Sequence, residues 1–160
     1  MRQKTHLKLG DRQTIEQMLN DKKNYSAIAA FLGKSVSCIS KEIKSHIFKV
    51  RSGSRTQNYN NCKNRFSCRL SHLCIPCNAP RKQSLCKRCN ICNKVCSSYL
   101  PDFCPKLSKP PYVCNACGNR YSCCLEKSFY YAAKAHEAYQ EKLTAARTGI
   151  SYSEDELKMN

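Results

Sequence analysis

The stretch "NYSAIAAFLGKSVSCISKEIKSH", Asn24 to His46, decides how the first third of the chain folds. Ser26 is placed to cap a short helix with Ile28, Ala29 and Leu32 on one face. Gly33 supplies the left-handed residue that ends it, and Ser35 caps a second helix carrying Val36, Ile39 and Ile43. Two helices joined by one glycine turn cross at a sharp angle, so the crossing residue must be small, as Ala29 is. Ile39 of the second helix then drops onto the first. Upstream, Ile15, Met18 and Leu19 recur at helical spacing over Gly10–Asn20, with Leu7 and Leu9 placed to tuck beneath. The pattern predicts three helices, the last two a helix-turn-helix, within residues 1–48.

The outer face of the last helix carries Ser35, Ser37, Ser40, Lys41 and Lys44, with Val36 at its start. Hydroxyls meet phosphates or base edges, lysine meets phosphate or guanine, and valine meets a thymine methyl, so this face suits a DNA major groove. An ordinary three-helix core with a solvated basic face is the alternative. Residues 49–61 continue with Lys49, Arg51 and Arg55 among Ser, Asn and Gly and with no acidic residue. They read either as a basic arm that tracks phosphates or as a plain linker.

Charge follows the same divisions. Residues 1–61 hold 12 Lys/Arg against 4 Asp/Glu, residues 62–124 hold 11 against 1, and residues 125–160 hold 5 against 6, for a total of +17. Two successive polycationic blocks favour a polyanion, with nucleic acid ahead of an anionic membrane surface. The longest apolar run, Ala27–Leu32, is far too short to cross a bilayer, and the first residues have no apolar signal region. A reducing bacterial cytoplasm, at the nucleoid, is the expected compartment.

Thirteen of the 14 cysteines lie between Cys62 and Cys124. With cysteine set aside, roughly a third of the chain is conventional core-forming residues, too few for the middle block to fold by apolar burial alone. Four CxxC pairs occur, 74/77, 86/89, 89/92 and 114/117, and each supplies half of a tetrahedral zinc shell. The candidate ligands are Cys62, Cys68, Cys74, Cys77, Cys86, Cys89, Cys92, Cys96, Cys104, Cys114, Cys117 and Cys123, enough for two to three structural Zn2+ ions. The wiring stays open, because Cys89 cannot serve both of its pairs. Disulfides, an iron–sulfur cluster on the run Cys86–Cys96 and a redox CxxC are the alternatives. Arg65, Arg69, Arg81, Lys82, Lys87, Arg88, Lys94 and Arg120 stand between the sulfurs with Phe66, Tyr99, Tyr112 and Tyr121, and form either a second DNA surface or solvated charge.

Residues 125–148 keep Leu125, Phe129, Ala132, Ala133, His136, Tyr139, Leu143 and Ala146 on one side of a predicted helix, a stripe suited to a core or to self-association. Residues 149–160 read as the start of a truncated downstream region, in which Ser153 and Glu156 form a capping box that announces a helix the chain does not complete. The fold class is therefore mainly α, with a helix-turn-helix, a metal-stapled irregular middle and a long C-terminal helix.

The combination of "HLKLGDRQTIEQML" and "YSAIAAFLGKSVSCISKEIK" with "CPKLSKPPYVCNACGNRYSCCLEKSFYYAAKAHEAYQEKL" resembles the N-terminal half of insertion-sequence-thirty family transposases of the cysteine-rich variety. One departure is Lys8, where relatives carry a Ser/Thr cap. The resemblance implies that the helix-turn-helix recognises the terminal inverted repeats of a mobile element during transposition and recombination, through Ser35, Val36, Ser37, Ser40, Lys41 and Lys44. It also implies a ribonuclease-H-like domain with an Asp-Asp-Glu triad and Mg2+, to which nothing in residues 1–160 corresponds. The chain alone is expected to bind and not to cut, as a truncated or split product. A transcriptional regulator with a zinc module, and a zinc adaptor that binds protein through its Tyr-rich helix, are the competing readings.

Overall fold

The computed structural model describes residues 6–74, 85–89 and 91–148. Helices α1 (Leu9–Asn20), α2 (Tyr25–Leu32) and α3 (Val36–Ser45) stand where the periodicity places them. Lys8 needs no hydroxyl to start α1, because Asp11 reaches back and accepts the Lys8 backbone N–H at 2.8 Å. The start of α2 differs from expectation. Asn24, not Ser26, caps it, accepting the Ala27 N–H at 2.9 Å, because the helix takes in Tyr25, whose ring is buried.

Gly33 sits at φ 61° and closes α2: its N–H bonds to the Ala30 carbonyl and the Lys34 N–H to the Ala29 carbonyl. A Cβ on Gly33 would meet nothing within 4 Å, so the requirement for glycine is one of backbone conformation. Ser35 caps α3 as expected, its hydroxyl accepting the Cys38 N–H at 3.2 Å.

The chain then departs from the expected all-helical pattern. Strand β1 (Ile47–Val50) pairs antiparallel with β2 (Lys127–Tyr130), with Ile47 opposite Tyr130 and Val50 opposite Lys127. The basic segment from residue 49 thus begins as half of a ribbon. The C-terminal helix correspondingly starts at Ala132, not at Leu125, because the run Ser128–Tyr131 suits a pleated surface better than a helix. A single helical turn, α4 (Cys92–Val95), lies between the strands, and α5 (Ala132–Thr148) follows them. Helix α5 packs on α1, and its buried residues are Ala132 and Ala135. Of the expected stripe, Ala132 is buried and His136 and Tyr139 reach Arg12 of α1, whereas Ala133 and Ala146 are exposed.

One apolar core joins the two ends. Leu7, Ile15, Leu19, Tyr25, Ile28, Ala29, Ile39 and Ile43 form a single cluster with Val113, Tyr130 and Ala135. The helix-turn-helix is completed by residues from the far side of the cysteine block, and the connection leaves from β1 and returns at β2. Among the described residues of that connection the buried side chains are mainly thiols and amides: Cys62, Cys86, Cys92, Cys114, Cys124, Asn60 and Asn115, with Val113 and Leu125. Regular structure there, among the described residues, consists of α4, two 3-10 turns at Cys86–Arg88 and Pro105–Ser108, and an isolated bridge from Cys62 to Pro101. Asn60 does the work of a core residue: its Oδ1 accepts the Cys62 N–H at 2.9 Å, its Nδ2 donates to the Lys87 carbonyl at 3.0 Å, and its own N–H bonds to the Cys124 carbonyl.

Candidate nucleic-acid interface and thiol cluster

The exposed side of α3 is the one the sequence singles out. Val36 is 46% exposed, Ser37, Lys41 and Lys44 are exposed, and Ser40 is half-buried. Ser35 is partly committed, since its hydroxyl caps the helix and lies 3.0 Å from that of Ser37. Lys44 is steered, its ammonium resting 4.5 Å above the Tyr112 ring. Beside α3 runs an open groove of about 860 Å3, with Ser37, Lys41 and Ser45 on one side and Tyr139 and Lys142 of α5 on the other. Tyr139 and Lys142 were not among the expected contacts. No sequence signal marks them, because the long-range pairing of β1 with β2 and the packing of α5 on α1 bring α5 alongside α3.

What holds α3 at this angle is a buried polar network. Arg12 of α1 is 2% exposed, and its Nε donates to Glu42 of α3 at 2.7 Å. One terminal nitrogen of Arg12 donates to the Leu7 carbonyl at 3.0 Å and lies 3.2 Å from Nδ1 of His136. The Tyr130 hydroxyl donates to the same Glu42 at 3.1 Å, and Nδ1 of His46 lies 3.3 Å from it. Burial, and then the Glu42 carboxylate beside it, pushes the Tyr130 hydroxyl far above its ordinary pKa, so it remains a donor. A buried carboxylate with one guanidinium and one phenol is satisfied, and it locks α3 to α1, β2 and α5.

The three arm residues are engaged within the molecule. Lys49 and Arg51 both pair with Glu126, at 3.2 and 2.8 Å, and Arg55 lies over the Tyr121 ring at 5.7 Å. Arg120 approaches the same ring at 4.7 Å. The guanidinium of Arg51, hydrogen-bonded to Glu126, leads in holding that carboxyl below its ordinary pKa.

The expected metal ligands divide. Cys62, Cys68, Cys92 and Cys96 line one cavity of about 220 Å3. Burial, followed by the neighbouring thiols Cys96, Cys68, Cys86 and Cys62, pushes the Cys92 thiol up to about 11. Burial also raises Cys114, against a lowering hydrogen bond at Ser128, and Cys117, Cys104 and Cys123 add to the rise. Cys74 and Cys89 are half-buried, and Cys77 lies outside the described residues, as do Arg81, Lys82 and the capping box at Ser153 and Glu156. Among the described residues no three His, Cys, Asp or Glu side chains converge closely enough, as they stand, to hold a metal ion. No helix among them is long and apolar enough to cross a membrane.

Residues 3–46 match the family model of a helix-turn-helix domain, a domain found in transposases. The match covers α1 to α3 and ends at the residue before β1. The first part of the chain is thus a helix-turn-helix of the DNA-binding kind. Searches among curated proteins and among solved structures returned no significant match.

Proposed function

We propose that this chain is the DNA-recognition part of an insertion-element transposase, in which α3 reads the terminal inverted repeats of the element. The observation that carries the reading is the match of residues 3–46 to a helix-turn-helix domain found in transposases. The exposed face of α3 supports it, since it presents hydroxyls, ammonium groups and one valine and no exposed carboxylate. Lys41 and Lys44 take phosphates, Ser37 and Ser40 meet phosphate or base edges, and Val36 meets a thymine methyl. Lys49, Arg51 and Arg55 extend the cationic track along the ribbon that follows α3. Strand cutting and joining with Mg2+, the chemistry of such enzymes, is assigned to no residue here.

The test is a fluorescence-anisotropy titration of the full chain against duplexes carrying the element ends and against random duplexes. The expected outcome is a preference for the ends of about 10³-fold or more. Lys41→Ala should weaken both duplexes alike and reduce the salt slope by about one, as loss of one phosphate contact does. Val36→Ala should instead change discrimination at one base pair, by about 1–3 kcal/mol. Equal binding to ends and random duplex would sink the reading, and preference for a promoter over the ends would favour a regulator.

A further inference from the structure

Cys62 follows the amide-rich segment Tyr59–Asn61, Cys68 ends the turn after it, and Cys92 and Cys96 bracket α4. Four cysteines separated by up to 34 positions of sequence line the same cavity of about 220 Å3. The other charged groups lining that cavity are Arg65, Arg69 and Lys87, all cationic. The nearby carboxylate of Asp102 is taken up by Arg65 through its terminal nitrogen. Arg65 also keeps a buried Nε–H that has no acceptor among the described residues. A wall of thiols, cations around it and an unsatisfied buried donor together describe the surroundings of a negatively charged sulfur cluster.

We propose that Cys62, Cys68, Cys92 and Cys96 form one tetrahedral site for a thiophilic divalent cation, Zn2+ by its chemistry. Four thiolates and one Zn2+ carry a net charge of about −2, which Arg65, Arg69 and Lys87 offset. Binding forms four Zn–S bonds of about 2.3 Å, releases four thiol protons to solvent and changes no oxidation state. The thiols line the cavity without meeting at a point. Each cysteine has a single side-chain torsion with three staggered rotamers, so binding would require the thiols to turn toward a common point. The assignment also separates the overlapping pairs: Cys92 belongs with Cys96, and Cys89 does not line this cavity. It goes beyond the DNA-binding reading and does not depend on it.

The test uses the purified, reduced full chain loaded with Zn2+ alone. Cys62→Ser and Cys92→Ser should each lower bound zinc by one ion per chain, and the double variant should lower it by the same one ion. Cys38→Ser, on α3, should lower it by none. Loss of two ions in the double variant, or none in either single, overturns the assignment. A second measurement needs no variant: with Zn2+ bound, Cys62, Cys68, Cys92 and Cys96 should all resist alkylation, and removal of the ion by a chelator should expose all four in a single kinetic phase. Any one of the four alkylating equally fast with and without Zn2+ refutes the site.

Discussion

Ile39 and Cys92 are both almost removed from water, at 0% and 6% exposure, yet their surroundings have little in common. Around Ile39 are aliphatic and aromatic side chains drawn from α1, α2, α3, β2 and α5. Around Cys92 are other thiols; the Asn60 amide ties the backbone close by, and the Asn61 side-chain oxygen accepts from Asn93 and from the Tyr99 hydroxyl. The first environment is stabilised by apolar surface leaving water, and it is non-directional. The second is stabilised by directed hydrogen bonds, and a small group of turns held that way has little apolar area to contribute. One chain therefore contains a region that tolerates exchange of one hydrophobe for another and a region in which single polar atoms are indispensable.

The contrast is broken most strongly at Glu42, where the apolar region depends on charge. Glu42→Ala leaves the Arg12 guanidinium buried without its carboxylate and is expected to destabilise the fold by about 3–5 kcal/mol, read from the denaturant midpoint. Ile39→Ala tests the ordinary behaviour of that core, with an expected loss of about 2–5 kcal/mol by the same measurement. In hydrogen exchange that loss should appear in α1–α3 and α5 together, because they share one cluster; exchange that speeds up in α3 alone would contradict a shared core. Asn60→Ala moves to the other region and removes two side-chain hydrogen bonds, at a cost of about 1–3 kcal/mol. The protection lost should lie around Cys62 and Lys87, with α3 left unchanged.

The smallest effect is expected at the junction of the two regions, where Glu126 meets Arg51 and Lys49. Its carboxyl is held below its ordinary pKa in the folded chain, so this contribution is complete above that ordinary value. It fades as pH falls through the lowered one. A pH titration of thermal stability should therefore lose a shallow acid-side step in Glu126→Gln. An unchanged profile would show that both cations are simply solvated.

The helix-turn-helix was legible because its determinants are local: an apolar period, a glycine able to reach positive φ, and a serine cap three residues before the N–H it accepts. The cap of α2 was misplaced by two positions because Ser26 and Asn24 are both good caps, and only the burial of Tyr25 chooses between them. The ribbon was missed for a different reason. Its strands are four residues each with 76 residues between them, and "KSFYYAAKAH" continues smoothly into a real helix, so a helical period read across the join absorbed β2. Tyr139 and Lys142 were invisible as neighbours of α3 because that adjacency follows from long-range contacts, the ribbon and the packing of α5 on α1. The cysteine spacing offered CxxC pairs as units, whereas the cavity groups Cys62 and Cys68 with Cys92 and Cys96 across a distance that no CxxC pattern spans.

The antiparallel pairing of residues 47–50 with residues 127–130 also bears on the order in which the chain acquires its shape. Synthesis delivers the recognition helix early and its supports late: when Ser45 has left the ribosome, Val113, Tyr130 and Ala135 do not yet exist. A nascent chain at that stage has Ile15, Ile28, Ile39 and Ile43 on hand with one side of their packing missing, and Glu42 without the Tyr130 hydroxyl. Closing the core then requires bringing together segments separated by most of the cysteine block, contacts whose loop-closure entropy slows their formation. The packing that holds α3 is thus complete only once β2 and α5 have been made.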